Sequence, residues 1–279
     1  MGSIEVRWLH RWQFALACSA LAVVCLNLGA CANGAGGVGQ GSASKADIVT
    51  DSDEPDGRRR ARIRLELAVG YFEEGQTTVA LDELKQALTA DPNFGEAYNL
   101  RGLIYMRLND NRLAEESFRR STALNPGDSN VHHNYGWLMC QQGKFAEASQ
   151  LFSQALSNPR YGDRPKTLMT QGLCQIRAGR PAEAEISLTR SYELDAGNPI
   201  TGYNLSTLLF QRSEFVRAQF YIRRLNNSEL ANAQSLWLGI KIERRLDNRD
   251  AAEQLAGQLR KRYAQSPEMA KYERQAFDE

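Results

Sequence analysis

Three histidines, five cysteines and a scatter of acids are the residues that could do chemistry in this 279-residue chain. His132 and His133 are adjacent, so on a helix their side chains diverge by about 100° and do not share a metal ion. His132 is expected to pack and His133 to line a groove. The third, His10, stands in an N-terminal segment expected to be removed. Gly34, Gly36 and Gly39 spell G-x-G-x-x-G, but the run follows no strand pattern and opens no helix. It lacks the context that seats a dinucleotide pyrophosphate. Asp51, Asp53 and Asp56 hint at a calcium loop, yet Pro55 falls where the third acidic ligand belongs and Arg62 where the bidentate Glu should be. No G-x-S-x-G, H-E-x-x-H or phosphate loop occurs. The expectation is a chain with no catalytic residue, cofactor, metal or small-molecule substrate.

The cysteines carry more information. Cys18 and Cys25 lie in a stretch with Arg7 and Arg11 near its start, an apolar run from about Phe14 to Leu28, and then Gly29 and Ala30. That is the plan of a secretory signal peptide over residues 1–30, because the run is too short for a span and glycines follow at once. Leu28-Gly29-Ala30-Cys31 resembles the bacterial lipobox, in which the signal is cut before a Cys that becomes acylated. The resemblance implies lipidation at Cys31, and acyl chains anchor at roughly 0.8 kcal/mol per buried methylene. Ala32, rather than Asp, after the lipidated position implies the periplasmic face of the bacterial outer membrane. Residues 31–57 then read as a Gly/Ser/Asp tether with no apolar period, whose root-mean-square span as a coil is roughly 25 to 30 Å.

Beyond the tether the elements come from self-similarity. Ala80/Leu84, Ala114/Phe118, Ala148/Phe152, Ala184/Leu188, Ala218/Ile222 and Ala251/Leu255 recur at spacings of 34, 34, 36, 34 and 33. Twelve positions before each Ala stands a small residue: Ala68, Gly102, Gly136, Gly172, Ser206 and Gly239. Two series in step describe antiparallel helix pairs whose close approach needs small side chains, with larger apolar residues around them. Asp91-Pro92-Asn93 and Asn125-Pro126-Gly127-Asp128 punctuate the first two units. The loop at 158–163 is longer by two residues, and Ser266-Pro267-Glu268 opens a last helix.

This pattern resembles the tetratricopeptide repeat. It implies an all-α superhelical solenoid of six helix pairs over 58–264, with units starting near 61, 95, 129, 165, 199 and 232, and a capping helix over 265–279. Cys140 and Cys174 then fall in first helices of neighbouring units. Axes about 8 to 10 Å apart are wider than a disulfide usually tolerates between alpha carbons, so two buried thiols are expected. In tetratricopeptide repeats, positions 2, 5, 9, 12 and 13 of the first helix line the concave face. Here that gives Leu65, Val69, Phe72, Asn99, Leu103, Met106, Asn130, His133, Trp137, Met169, Leu173, Ile176, Tyr203 and Phe210. The stripe is apolar and aromatic with a few amides, suited to an apolar strand or amphipathic helix of a protein partner rather than to a carboxylate tail.

Asn134-Tyr135-Gly136 with Phe145, Glu147 and Ala148, the loop Tyr161-x-x-Arg164, Glu214-Phe215-x-x-Ala218-x-x-Tyr221 and Leu259-Arg260-Lys261-x-Tyr263 go beyond generic repeat positions. With the lipobox they resemble the type IV pilus biogenesis/stability family PilW/PilF. That resemblance implies a pilotin, an outer-membrane lipoprotein that binds the pilus secretin and promotes its localisation and multimerisation. The alternative is a repeat lipoprotein serving another envelope complex, such as peptidoglycan enzymes or outer-membrane protein assembly. Charge is consistent with a protein partner and against nucleic acid. There are 34 Lys+Arg against 33 Asp+Glu, and removing Glu5, Arg7 and Arg11 with the signal makes the remainder neutral, so no basic field exists to neutralise phosphates. Membrane attachment must then come from the acyl group: Cys31→Ser is expected to shift the protein into the soluble fraction on cell fractionation, and continued membrane retention would refute lipidation.

Overall fold

The computed structural model describes residues 53–278. The signal segment, His10, Cys18, Cys25, Cys31, the glycine run and nearly all of the tether lie outside them. Among the described residues there is no strand. The helices are α1 (Asp56–Glu73), α2 (Thr77–Ala90), α3 (Gly95–Arg107), α4 (Asn111–Leu124), α5 (Ser129–Gln141), α6 (Phe145–Ser157) and α7 (Arg164–Arg177), followed by α8 (Pro181–Leu194), α9 (Pro199–Gln211), α10 (Phe215–Asn226), α11 (Ala233–Arg245), α12 (Arg249–Arg262) and α13 (Pro267–Glu273). None is long and apolar enough to cross a membrane. The odd-numbered helices from α1 to α11 touch one another in succession, whereas the even-numbered ones touch only their own partner and the next first helix, apart from α12, which also meets α13. First helices crowd the inside of the curve and second helices splay around the outside, which is the tetratricopeptide solenoid.

Starts and stops follow from local chemistry. Asp110 accepts from Leu113 N, Asp128 from Asn130 N, Asn198 from Ile200 N and Thr201 N, and Ser266 from Met269 N. Asn232 and Ser235 form a reciprocal capping box. Pro165, Pro181, Pro199 and Pro267 sit in first turns, where no amide donor is lost. Each first helix ends at a left-handed residue: Gly75, Asn109, Gly143, Gly179, Ser213 and Asp247. These turns recur every 34 residues except between Gly143 and Gly179, which are 36 apart.

Within each pair the small residue faces the large apolar one. A Cβ on Gly102 would sit 2.6 Å from the Phe118 ring, one on Gly136 3.0 Å from Phe152, and one on Gly172 2.6 Å from Leu188. Ser206 fits because its hydroxyl donates to the Ala218 carbonyl at 2.9 Å. The alanines expected at the crossing are fully buried in units one to five. Unit six corrects the sequence reading. Ala252 is buried there and Ala251 only half-buried, because α12 starts 34 residues after α10 and the apparent 33-residue step matched the wrong alanine. In that register Ile240 takes the small-residue position and Ala256 the large one. Both are fully buried in one cluster, while the expected small/large pair still meets: a Cβ on Gly239 would lie 3.0 Å from Leu255 and closer still to Asn226 Nδ2.

Two further expectations change. The first helix begins at Asp56, inside the expected tether, and a Cβ on Gly57 would lie 2.8 Å from the Ala90 carbonyl oxygen. That glycine is packed, not linker. Cys140 and Cys174 form a disulfide between α5 and α7, with Cα atoms 5.8 Å apart, which overturns the expectation of two thiols. An axis spacing of about 8 to 10 Å separates cylinder centres, and facing Cα atoms each lie about 2.3 Å inside it.

The left-handed turns give a clean test of local strain. Ser213 holds φ 62° where Gly143, in the equivalent turn, holds 75°. Ser213→Gly is expected to raise the stability of unfolding in urea by about 1 kcal/mol, and Gly143→Ala to lower it by a similar amount. Unchanged midpoints would mean the turns relax at no cost.

Candidate functional site: the concave face

The expected stripe is half-buried along most of its length. Leu65 and Phe72 pack against the first core cluster, and Leu103 bridges to the second, which Met106 and Trp137 also flank. Met169, Ile176, Tyr203 and Phe210 flank the third, Leu173 is half-buried, and Val69 and Asn130 are exposed. Asn99 accepts from Asn134 Nδ2 at 3.1 Å, tying α3 to α5. Much of each side chain therefore packs between units, leaving one face of it open.

His133 is the exception. It is buried, with Nδ1 2.9 Å from the Thr167 hydroxyl, which in turn is 3.2 Å from the Tyr161 hydroxyl. It joins α5 to α7 instead of lining the groove, which corrects the sequence reading. Counting positions does not reveal that the lengthened loop at 158–163 brings Tyr161 to the Thr167 hydroxyl that the imidazole meets. His132 packs as expected, its Nε2 donating to the Pro126 carbonyl at 2.8 Å. Burial, helped by the Lys166 charge and opposed by Asp163, lowers the His133 pKa to about 4.

The stripe also continues further than the sequence reading took it. Counted from Ala233, positions 2, 5, 9, 12 and 13 of α11 are Gln234, Trp237, Lys241, Arg244 and Arg245. A start at 232 would have picked Leu236, Ile240 and Glu243, which are core. With Tyr203 and Phe210 from α9, Gln234, Trp237, Lys241 and Arg245 border a cavity of about 390 Å³ closed by Lys271 and Phe277 at the C-terminal end. Lys241 Nζ lies 5.3 Å from the Phe210 ring centroid and 5.7 Å from that of Trp237. Burial depresses its pKa, and the nearby charges of Lys271 and Arg245 push the same way. Cations recur along the whole face: the Arg107 guanidinium sits 3.8 Å over Phe72 and that of Arg177 5.9 Å over Trp137. The expectation of a stripe without basic character fails: by the same count from 95 and 165, Arg107 and Arg177 are themselves position 13 of units two and four, so basic side chains stand on lining positions there as well as in unit six. Such a surface binds by burying rings and offering cations at their edges. Among the described residues no group of His, Cys, Asp and Glu is arranged to hold a metal ion.

The buried imidazole sets a pH dependence. An unfolded His titrates near 6.5 and this one near 4, so between those values the unfolded chain holds the extra proton. Stability from this site is flat above about pH 6.5 and falls toward pH 4, by up to about 3 kcal/mol. His133→Gln is expected to flatten the loss of stability between about pH 7 and about pH 5 in urea unfolding. An unchanged slope would place the imidazole in water.

Comparison with known proteins agrees with this architecture. The tetratricopeptide repeat family matches residues 65–129 and 139–199. The chain is 28% identical over 218 residues to the type IV pilus assembly protein PilF of Pseudomonas aeruginosa, covering 78% of this chain and 86% of that one. The solved structure of P. aeruginosa PilF superposes with a TM-score of 0.71 over 78% of this chain and 99% of its own, at 28% identity. The crystal structure of PilW, described as a widely conserved type IV pilus biogenesis factor, gives 0.68 over 76% and 97%, also at 28% identity. With six helix pairs in repeat register and this likeness running along most of its length, the chain folds as a tetratricopeptide-repeat solenoid similar to the pilus factors PilF and PilW.

Proposed function

We propose that the chain acts in type IV pilus biogenesis as a pilotin: a lipoprotein held on the periplasmic face of the outer membrane that binds the pilus secretin and promotes its localisation and multimerisation. The observation that carries this reading is the likeness to PilF, whose 218 matched residues take in far more than the two stretches that the general repeat family matches. The concave face supplies a physical means. Half-buried rings and aliphatic side chains lie along the first helices, and a partner segment laid on them buries apolar area that no neighbouring unit covers.

An acyl group on Cys31 fits the same task. It would confine the solenoid to the membrane where rings form, raising the concentration at which secretin subunits meet it. While bound, an apolar segment of the partner is shielded from edge-to-edge pairing until assembly. The scaffold performs no chemistry in this account. In a strain lacking the protein, heat-resistant secretin multimers in the outer-membrane fraction are expected to fall sharply and to return when the gene is restored. Normal multimers without it would refute the proposal, as would copurification of a peptidoglycan hydrolase or outer-membrane assembly factor with no secretin.

A further inference from the structure

The concave face of α11 is covered in part by the chain's own C-terminus. Past α13, Gln275 adopts φ 56° and turns the chain back. Phe277 then stacks on Trp237, with ring centroids 5.3 Å apart and planes at 29°. The Arg244 guanidinium lies 3.9 Å over the same ring, and Asp278 accepts a 2.7 Å bond from Arg245 Nη2. An aromatic residue followed by an acid thus sits on the lining positions of the last unit, its ring on a ring and its carboxylate on a cation.

The hold is light. The Asp278 side chain is 91% exposed and that of Arg245 47%, and exposed pairs of this kind contribute little. Phe277 is itself only half-buried. Beside it the cavity stays open toward α9, walled by Tyr203, Phe210 and Trp237, with Lys241 and Lys271 at its edge. Glu268 and Asp278 are the acids that line it, and Asp278 belongs to the seated segment. Charge and shape therefore ask for the same occupant.

The geometry points to the concave face of α9 and α11 as a docking site for a partner-protein segment in which an aromatic residue precedes an acid, with the chain's own Phe277-Asp278 as the occupant that such a segment displaces. The inference rests on reading the concave face as the partner face, and on nothing about which protein the partner is. Because a tethered segment competes at an effective concentration in the millimolar range, the site is masked from weak ligands until the tail yields. A partner delivering the segment as part of a larger contact along the stripe can open it.

The test uses the full chain and a fluorescent hexapeptide of sequence Arg-Gln-Ala-Phe-Asp-Glu, with binding read by anisotropy. Carrying Phe277→Ala with Asp278→Asn, the chain is expected to bind the peptide at least about tenfold more tightly than the unaltered chain does. A peptide ending Phe-Asn-Gln should show no such gain. Adding Lys241→Gln and Arg245→Gln should return affinity to the starting level, with thermal melts confirming that each variant is folded. Asp278→Asn alone, at an exposed side chain, should shift affinity in the same direction without disturbing packing. No gain on unmasking, an equal gain with the neutral peptide, or indifference to the two cation changes would each overturn the docking site. Secretin capture by the unaltered chain is a separate readout. Capture without peptide binding refutes this site alone, and peptide binding without capture refutes the pilotin reading alone.

Discussion

The close approach of a small residue on each first helix to a large apolar residue on its partner is the constraint on which the rest of the solenoid depends. At Gly102, Gly136 and Gly172 the facing ring or isobutyl group occupies the space a Cβ would need, so the distance between the two helices is fixed by the partner side chain itself. A pair set at that distance cannot also cover the open side of its first helix. That side is left to the next unit, and the buried clusters accordingly straddle unit boundaries instead of filling units one by one. Curvature follows, because first helices meet in succession while second helices do not. The concave face is the by-product of that packing.

Where that constraint is altered, other interactions take up the task. In unit six Gly239 still meets Leu255, but Asn226 of α10 presses on the same glycine, and Ile240 and Ala256 are fully buried beside it. Close by, the Glu243 carboxylate is 1% exposed and accepts from Arg223 Nε at 2.7 Å, Gln219 Nε2 at 2.8 Å and Asn248 Nδ2 at 2.9 Å. Burial alone would raise its pKa, and these hydrogen bonds outweigh burial and hold it below the ordinary value. One satisfied carboxylate therefore ties α10 to α11 and to the turn that opens α12. Between units three and four, where the spacing stretches to 36, the Cys140–Cys174 disulfide and the Arg164 bond to the Leu156 carbonyl, at 2.6 Å, cross the enlarged joint. The enlarged joint thus carries a covalent link that no other pair of neighbouring first helices has among the described residues.

This explains what could be read in the residues and what could not. The period and the Ala/small pairing were legible because they report a backbone distance, and each position must satisfy it with side-chain size alone. Unit six resisted because Ala251 and Ala252 are adjacent, and only the left-handed turn at Asp247, on the same spacing as Gly75 to Ser213, tells which one faces α11. That turn series was visible in outline, but Asn109, Ser213 and Asp247 do not advertise a positive φ as glycine does. The disulfide and the burial of His133 depend on which sides of neighbouring cylinders face one another, and spacing along the chain does not encode it. The lining of α11 was lost through the same one-residue error, since a shift of one position on a helix turns about 100° from groove to core.

The cations over the rings of the concave face reconcile two demands that pull apart. A surface that binds by burying apolar area must expose that area when unoccupied, and a continuous exposed stripe invites nonspecific association. Arg107 over Phe72 and Arg177 over Trp137 cover ring faces with groups that are themselves solvated, at a gain of about 0.5–1 kcal/mol per contact at exposed sites, and Lys241 lies half-buried between Phe210 and Trp237. Long side chains of this kind can swing aside at little cost, whereas an apolar cover would need unpacking. Beyond the sixth pair, α13 with Phe277 completes the cover. The face is thus dressed along its length by cations and at its end by a ring and an acid. A ligand that replaces both dressings must bring apolar surface for the stripe and negative charge for its end.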